Sequence, residues 1–93
     1  MRPRKVVILG QTYVVKYIKL PDTWGECRND TREILIDKDL VGKALIQTVF
    51  HEMIHAAFWR TGLNLVIDES IEEVACEVLS NVFADLWDIT QKE

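Results

Sequence analysis

The stretch Phe50–Gly62, FHEMIHAAFWRTG, holds both histidines of the 93-residue chain, His51 and His55, four positions apart, with Glu52 directly after the first. On an α-helix, positions i and i+4 lie about 40° apart around the axis and about 6 Å apart along it. Both imidazoles can then aim at one tetrahedral ion. Glu52 lies about 60° round from His55, too far to share that ion comfortably and near enough to reach a water beside it. The spacing therefore predicts two metal ligands and one base. Two histidines and eight glutamates scattered over 93 positions produce this pattern by chance roughly once in five hundred sequences.

The helix carrying the motif reads from Leu40 to about Arg60, with Asp39 as N-cap and Gly62 as its stop. It is apolar nearly all round, through Val41, Leu45, Ile46, Phe50, Met53, Ile54, Ala57, Phe58 and Trp59. Such a helix is covered on more than one face. Ionisable groups buried in it without a partner would be costly, and a bound ion accounts for them.

Upstream, Val6–Leu9 and Thr12–Ile18 are rich in β-branched and aromatic residues and read as two strands around Gly10–Gln11. Pro21, Asp22 and Gly25 signal a loop. A second hairpin is expected to turn at Asn29–Asp30, with the return strand REILID offering an edge to an extended peptide. Downstream, Ser70 and Glu73 have the spacing of a capping box. Ile71, Val74, Ala75, Val78, Leu79, Val82, Phe83 and Leu86 then form one apolar stripe to about Trp87, expected to lie over the first helix. The fold class is α+β, with residues 1–93 as a single domain: a small, mainly antiparallel sheet packed on the buried HExxH helix, and a second, C-terminal helix.

A third ligand must be acidic, because the chain has no third histidine. Candidates are Asp68, Glu69, Glu72, Glu73 and Glu77. Helical phase, counted from Ile71, places Glu72 at about 100°, on the shoulder of the apolar stripe. Glu73 and Glu77 fall at about 200° and 240°, on the solvent side, and Glu73 is also engaged by the capping box. Phase therefore selects Glu72 to join His51 and His55, with Asp68 and Glu69 next in line because their directions before the cap are open. Three protein ligands leave zinc an open position, the catalytic arrangement. The expected activity is zinc-dependent hydrolysis of a peptide bond in a protein or peptide substrate, with Glu52 as general base.

The residues HEMIHAAFWRTGL followed by EEVACEVLSNVF resemble the small phage-type zinc metallopeptidases related to the ImmA/IrrE group, and more distantly the SprT-like domains, over roughly Gly25 to Trp87. The resemblance implies a minimal zincin-like domain in which a Gly-Glu hairpin, here WGECRNDTREILID, precedes the HExxH helix. It implies a glutamate ligand three residues before an Ala-Asn-type pair, here Ala75–Cys76, which again points to Glu72. Cys76 departs from the asparagine common there. A phage or prophage origin and cleavage of a regulatory protein follow from the resemblance alone.

A net charge of -4 and a pI of about 5.1 argue against nucleic acid as a partner. The basic residues Arg2, Arg4 and Lys5 read as a solvated, frayed terminus. Neither a signal peptide nor a membrane span is readable, and Cys27 and Cys76 form no disulfide framework, so a cytoplasmic protein with inert, reduced thiols is expected. Trp59 and Trp87 read as core caps, Trp24 as a candidate cleft wall, and Tyr13 and Tyr17 as packing residues with a possible second use as oxyanion donors. The alternative to a peptidase is a non-catalytic, metal-stabilised protein-binding module.

Overall fold

The computed structural model describes residues 2–92, with side-chain surroundings through residue 87. It is α+β. Four strands, β1 (Lys5–Ile8), β2 (Gln11–Ile18), β3 (Gly25–Arg28) and β4 (Glu33–Asp37), are followed by α1 (Gly42–Thr61), a 3-10 turn at Leu63–Leu65, and α2 (Glu69–Lys92). The strand order is β1-β2-β4-β3.

Leu9 and Gly10 turn the first hairpin with both residues at positive φ, 49° and 80°, as a two-residue connection between twisted strands requires. The chain then runs out to form β3 and returns as β4 between β3 and β2. β4 therefore pairs antiparallel with β3 and parallel with β2, which makes the sheet mixed. The expectation of REILID as an edge strand is corrected: β4 is central, and the strand left open beside the helices is β3.

The alternation of β2 and β4 sends Tyr13, Val15, Ile34 and Ile36 onto one face. There they meet Leu45, Val49 and Ala56 of α1 in the core. Asp39 does not cap α1; the N-cap position is Val41, without a side-chain bond, and Lys19 Nζ reaches Asp39 at 2.9 Å instead. Gly62 closes the helix in the left-handed conformation, its N–H donating to Trp59 O at 3.2 Å. The N-terminal segment is tied down. Arg2 donates to the carbonyls of Lys38 and Leu40 and stacks over the Tyr17 ring.

The second helix corrects the sequence reading most sharply. It packs on α1 through Cys76, Ser80 and Ala84, which are buried, together with Glu72. Gln47 Nε2 donates to Ser80 Oγ at 2.9 Å across that contact. Most of the apolar stripe faces outward: Ile71, Val74, Val78, Val82 and Leu86 are all about half or more exposed. Small side chains at i, i+4 and i+8 let two backbones approach closely, and α2 presents that row to α1 in preference to its bulky one.

Candidate metal centre

The site forms where α1 passes under β3 and beside the first turns of α2. Thr48, Glu52 and Ala56 recur every four residues on α1 and are buried. Glu52 lies against the backbone of β3, where a Cβ on Gly25 would stand 3.0 Å from Glu52 Oε2 and 2.8 Å from Thr48 Cγ2. The glycine of the Gly-Glu hairpin is thus what lets the strand settle onto the helix at this point.

His51 and His55 are half-buried on the next face of α1, with Nε2 atoms 3.2 Å apart. The Glu73 carboxylate spans both, Oε1 at 2.9 Å from His51 Nε2 and Oε2 at 3.2 Å from His55 Nε2. The opposite ring nitrogens face other carboxylates: Glu72 Oε2 lies 2.7 Å from His55 Nδ1, and Glu77 Oε2 lies 3.3 Å from His51 Nδ1. His51, His55 and Glu73 form one group able to hold a metal ion, and His55, Glu72 and Cys76 form another.

Glu72 is expected to stand with both histidines as the third ligand. Glu72 meets His55 alone, through Nδ1, whereas Glu73 reaches both rings. The capping-box reading of Glu73 fails for a local reason. Asp68 Oδ1 takes the backbone N–H of Ser70 at 3.0 Å and so does the capping, leaving Glu73 free to turn towards α1. Glu69 lines the cleft beside His55, and Asp68 is occupied at the helix start. Glu77, a candidate expected on the solvent side, is exposed there and stands beside His51. Its signal was in the sequence, four residues after Glu73 as His55 is four after His51, so that two i, i+4 pairs can face each other across the two helices.

Burial pushes the Glu52 carboxyl above the usual carboxylate range, against the opposing pull of His51 and His55. Burial also opposes a charge on His55, but the hydrogen bond to Glu72 and the charges of Glu52 and Glu73 outweigh it, and its pKa is raised. Cys76 is fully buried, and burial followed by the charges of Glu72, Glu73 and Glu52 pushes its thiol up to about 12. It is held as a protonated thiol, which is a poor ligand.

Two clefts flank the motif. One, of about 440 Å³, lies on the His55 side against Cys27, Trp59, Asn64 and Glu69. The other, of about 270 Å³, lies on the His51 side against Trp24, Gln47 and Glu77. Glu52 borders both, so together they make a trough across the site. Trp24 lines it, and Trp59 proves to be a cleft wall, 46% exposed, rather than a core cap. Tyr13 is fully buried, donating to Asn29 Oδ1 and accepting from Arg60 Nε, and the Tyr17 hydroxyl donates to Pro3 O. No helix among the described residues is long and apolar enough to cross a membrane, and both cysteines are free. No model of a known family and no curated protein matches the sequence.

Proposed function

We propose that the chain is a zinc-dependent peptidase of the zincin type in which His51, His55 and Glu73 hold the ion. One observation carries this reading. His55 Nδ1 is hydrogen-bonded to Glu72 and His51 Nδ1 faces the Glu77 carboxylate at 3.3 Å; in the tautomer with the hydrogen on each Nδ1, both Nε2 atoms turn lone pairs towards each other and towards the Glu73 carboxylate, within 3.2 Å. In that tautomer electron-rich atoms converge on one point, and a cation between them, a metal ion or a proton, offsets their repulsion. Ligand atoms on a tetrahedral zinc ion with bonds of about 2.0–2.1 Å are roughly 3.3 Å apart, close to the 3.2 Å between the two Nε2 atoms. Two nitrogens and a carboxylate suit zinc and leave a position open.

Zinc bound there would supply a Lewis acid that polarises the scissile carbonyl and acidifies water. The chain's own groups supply the rest. Glu72 would hold the His55 ring in the tautomer that frees Nε2, with Glu77 beside the corresponding nitrogen of His51. Glu52, its charge disfavoured by burial and without a hydrogen-bond partner among the described residues, takes a proton from the attacking water and returns it to the leaving amine. The open edge of β3 borders the trough, and an extended peptide pairing with it would pass over Glu52. Free thiols suit a reducing compartment such as the cytoplasm.

The metal-stabilised binding module is the second reading because, among the described residues, no Tyr, Lys or Arg lines either cleft to stabilise an oxyanion. Metal analysis of untagged protein, followed by comparison of new peptide termini produced by wild type and Glu52→Gln, tests both. Stoichiometric zinc with cleavage by wild type alone supports the peptidase. Zinc without cleavage supports the module, and absence of zinc sinks both.

A further inference from the structure

We infer that the outer face of α2 is a homodimer interface, formed by two copies of α2 crossing antiparallel about Val78–Leu79. Its apolar residues form two rows along the helix, Ile71-Ala75-Leu79-Phe83 and Val74-Val78-Val82-Leu86, each spaced by four. The two rows lie three residues apart, so they offer both the ridges and the grooves that interlock when helices cross at about 20°, a shallow angle that keeps them in contact along their length. The eight positions are also symmetric about the point between Val78 and Leu79. A two-fold axis there sets Ile71 opposite Leu86, Val74 opposite Phe83, and Ala75 opposite Val82, so every apolar residue meets another of the set. The short side chain of Ala75 leaves an apolar groove with Ile71, Val74, Val78 and Leu79 around it, shaped for a bulky side chain.

The area is sufficient. The seven large side chains of the stripe expose on the order of 650 Å², more than the largest apolar patch of an ordinary monomer. That is most of the roughly 800 Å² that each partner of a stable dimer contributes. Charge selects the antiparallel arrangement. Glu69, Glu72, Glu73 and Glu77 all lie in the N-terminal half of α2, so parallel helices would bring two acidic clusters together, whereas antiparallel helices separate them and oppose their dipoles. Glu72 and Cys76 turn the other way, towards α1, so the dimer leaves the trough open.

The test is sedimentation equilibrium of the full chain over a hundredfold range of concentration, beside Val74→Asp/Val82→Asp, with circular dichroism to confirm that the variant retains its helices. The expected result is a reversible species of twice the 10.8 kDa chain mass in wild type, lost in the variant. Orientation is read from single cysteines. Val78→Cys should cross-link to itself under mild oxidation, whereas Ile71→Cys should cross-link to Leu86→Cys and not to itself. A monomer throughout, a dimer that survives the double substitution, a continuous spread of aggregates with no discrete dimer, or efficient self-cross-linking of Ile71→Cys would each overturn the proposal. Should the double variant unfold, the cross-linking pattern in the otherwise intact chain decides.

Discussion

Glu52, in its proposed role as general base, would favour activity at the expense of stability. Its folded-state pKa is raised, chiefly by burial. A group shifted that way contributes stability below its unfolded pKa and loses it as pH rises through the folded value, so at neutral pH the ionised carboxylate weakens the fold. Metal-free Glu52→Gln should therefore melt above metal-free wild type at pH 7. The gap should narrow as pH falls below the ordinary carboxylate range, where both side chains are neutral; thermal scans across pH check this. The same variant should keep zinc and lose hydrolysis by about 10²–10⁴-fold, the usual worth of a positioned general base. The carboxylates of α2 separate by the nitrogen each one meets. Loss of an orienting carboxylate typically lowers metal affinity about 10–100-fold. Glu72→Gln and Glu77→Gln should fall in that range, and Glu73→Gln should lose more than either. Competition against a chelating dye measures all three, and equal effects of Glu72→Gln and Glu73→Gln would undo the ligand assignment.

At the scale of elements, two glycines act through different physics. Gly62 sits at φ 79° with open space where a Cβ would go, so Gly62→Ala should cost about 1 kcal/mol through backbone conformation alone. Gly25 has no positive φ to maintain, but it has Thr48 and Glu52 against it. Gly25→Ala should push β3 off α1 and cost about 1–3 kcal/mol, as overpacking does. Thr48→Ser removes the methyl group in closest contact and keeps the hydroxyl that donates to Ala44 O, so it should recover part of the Gly25→Ala loss and none of the Gly62→Ala loss. Urea denaturation of the two double-mutant cycles measures this difference.

For the whole molecule, an ion at the histidine cluster would add a tie between two helices that already pack on each other. The sheet packs on α1, while the substantial packing of α2 is with α1 alone, through small side chains, the Phe50–Phe83 ring pair and the Gln47–Ser80 bond. An ion shared by His51, His55 and Glu73 would join the two helices. Zinc at about 100 times its dissociation constant adds roughly 2.7 kcal/mol to stability. In a domain of this size that raises the melting temperature by about 10 °C or more. Calorimetry before and after chelation should show a fall of that order, reversed by added zinc; an unchanged melting curve would remove the metal from the account of this fold.

The sequence alone determined what depends on neighbours along the chain. The four-residue step from His51 to His55 puts both rings on one face of any helix, with Glu52 beside them, whatever else the protein does. Likewise the strands and their turns followed from β-branched runs punctuated by Gly10, Asn29 and Asp30. Only the tertiary structure decided how far α2 is rotated about its own axis, and that rotation selects the carboxylates that reach the histidines. Sequence phase assumed that the bulky apolar stripe must face inward. The helix instead buries Cys76, Ser80 and Ala84, whose small side chains allow close approach to α1 and bring Glu73 across both imidazoles. The central place of β4 was hidden for a related reason. A hairpin has the same local signals whether its first or second strand joins the rest of the sheet, and the parallel partnership with β2 is settled by burying Ile34 and Ile36 beside Val15. Local backbone geometry sets periodicity within an element, whereas the faces that meet are chosen by packing between elements distant in sequence.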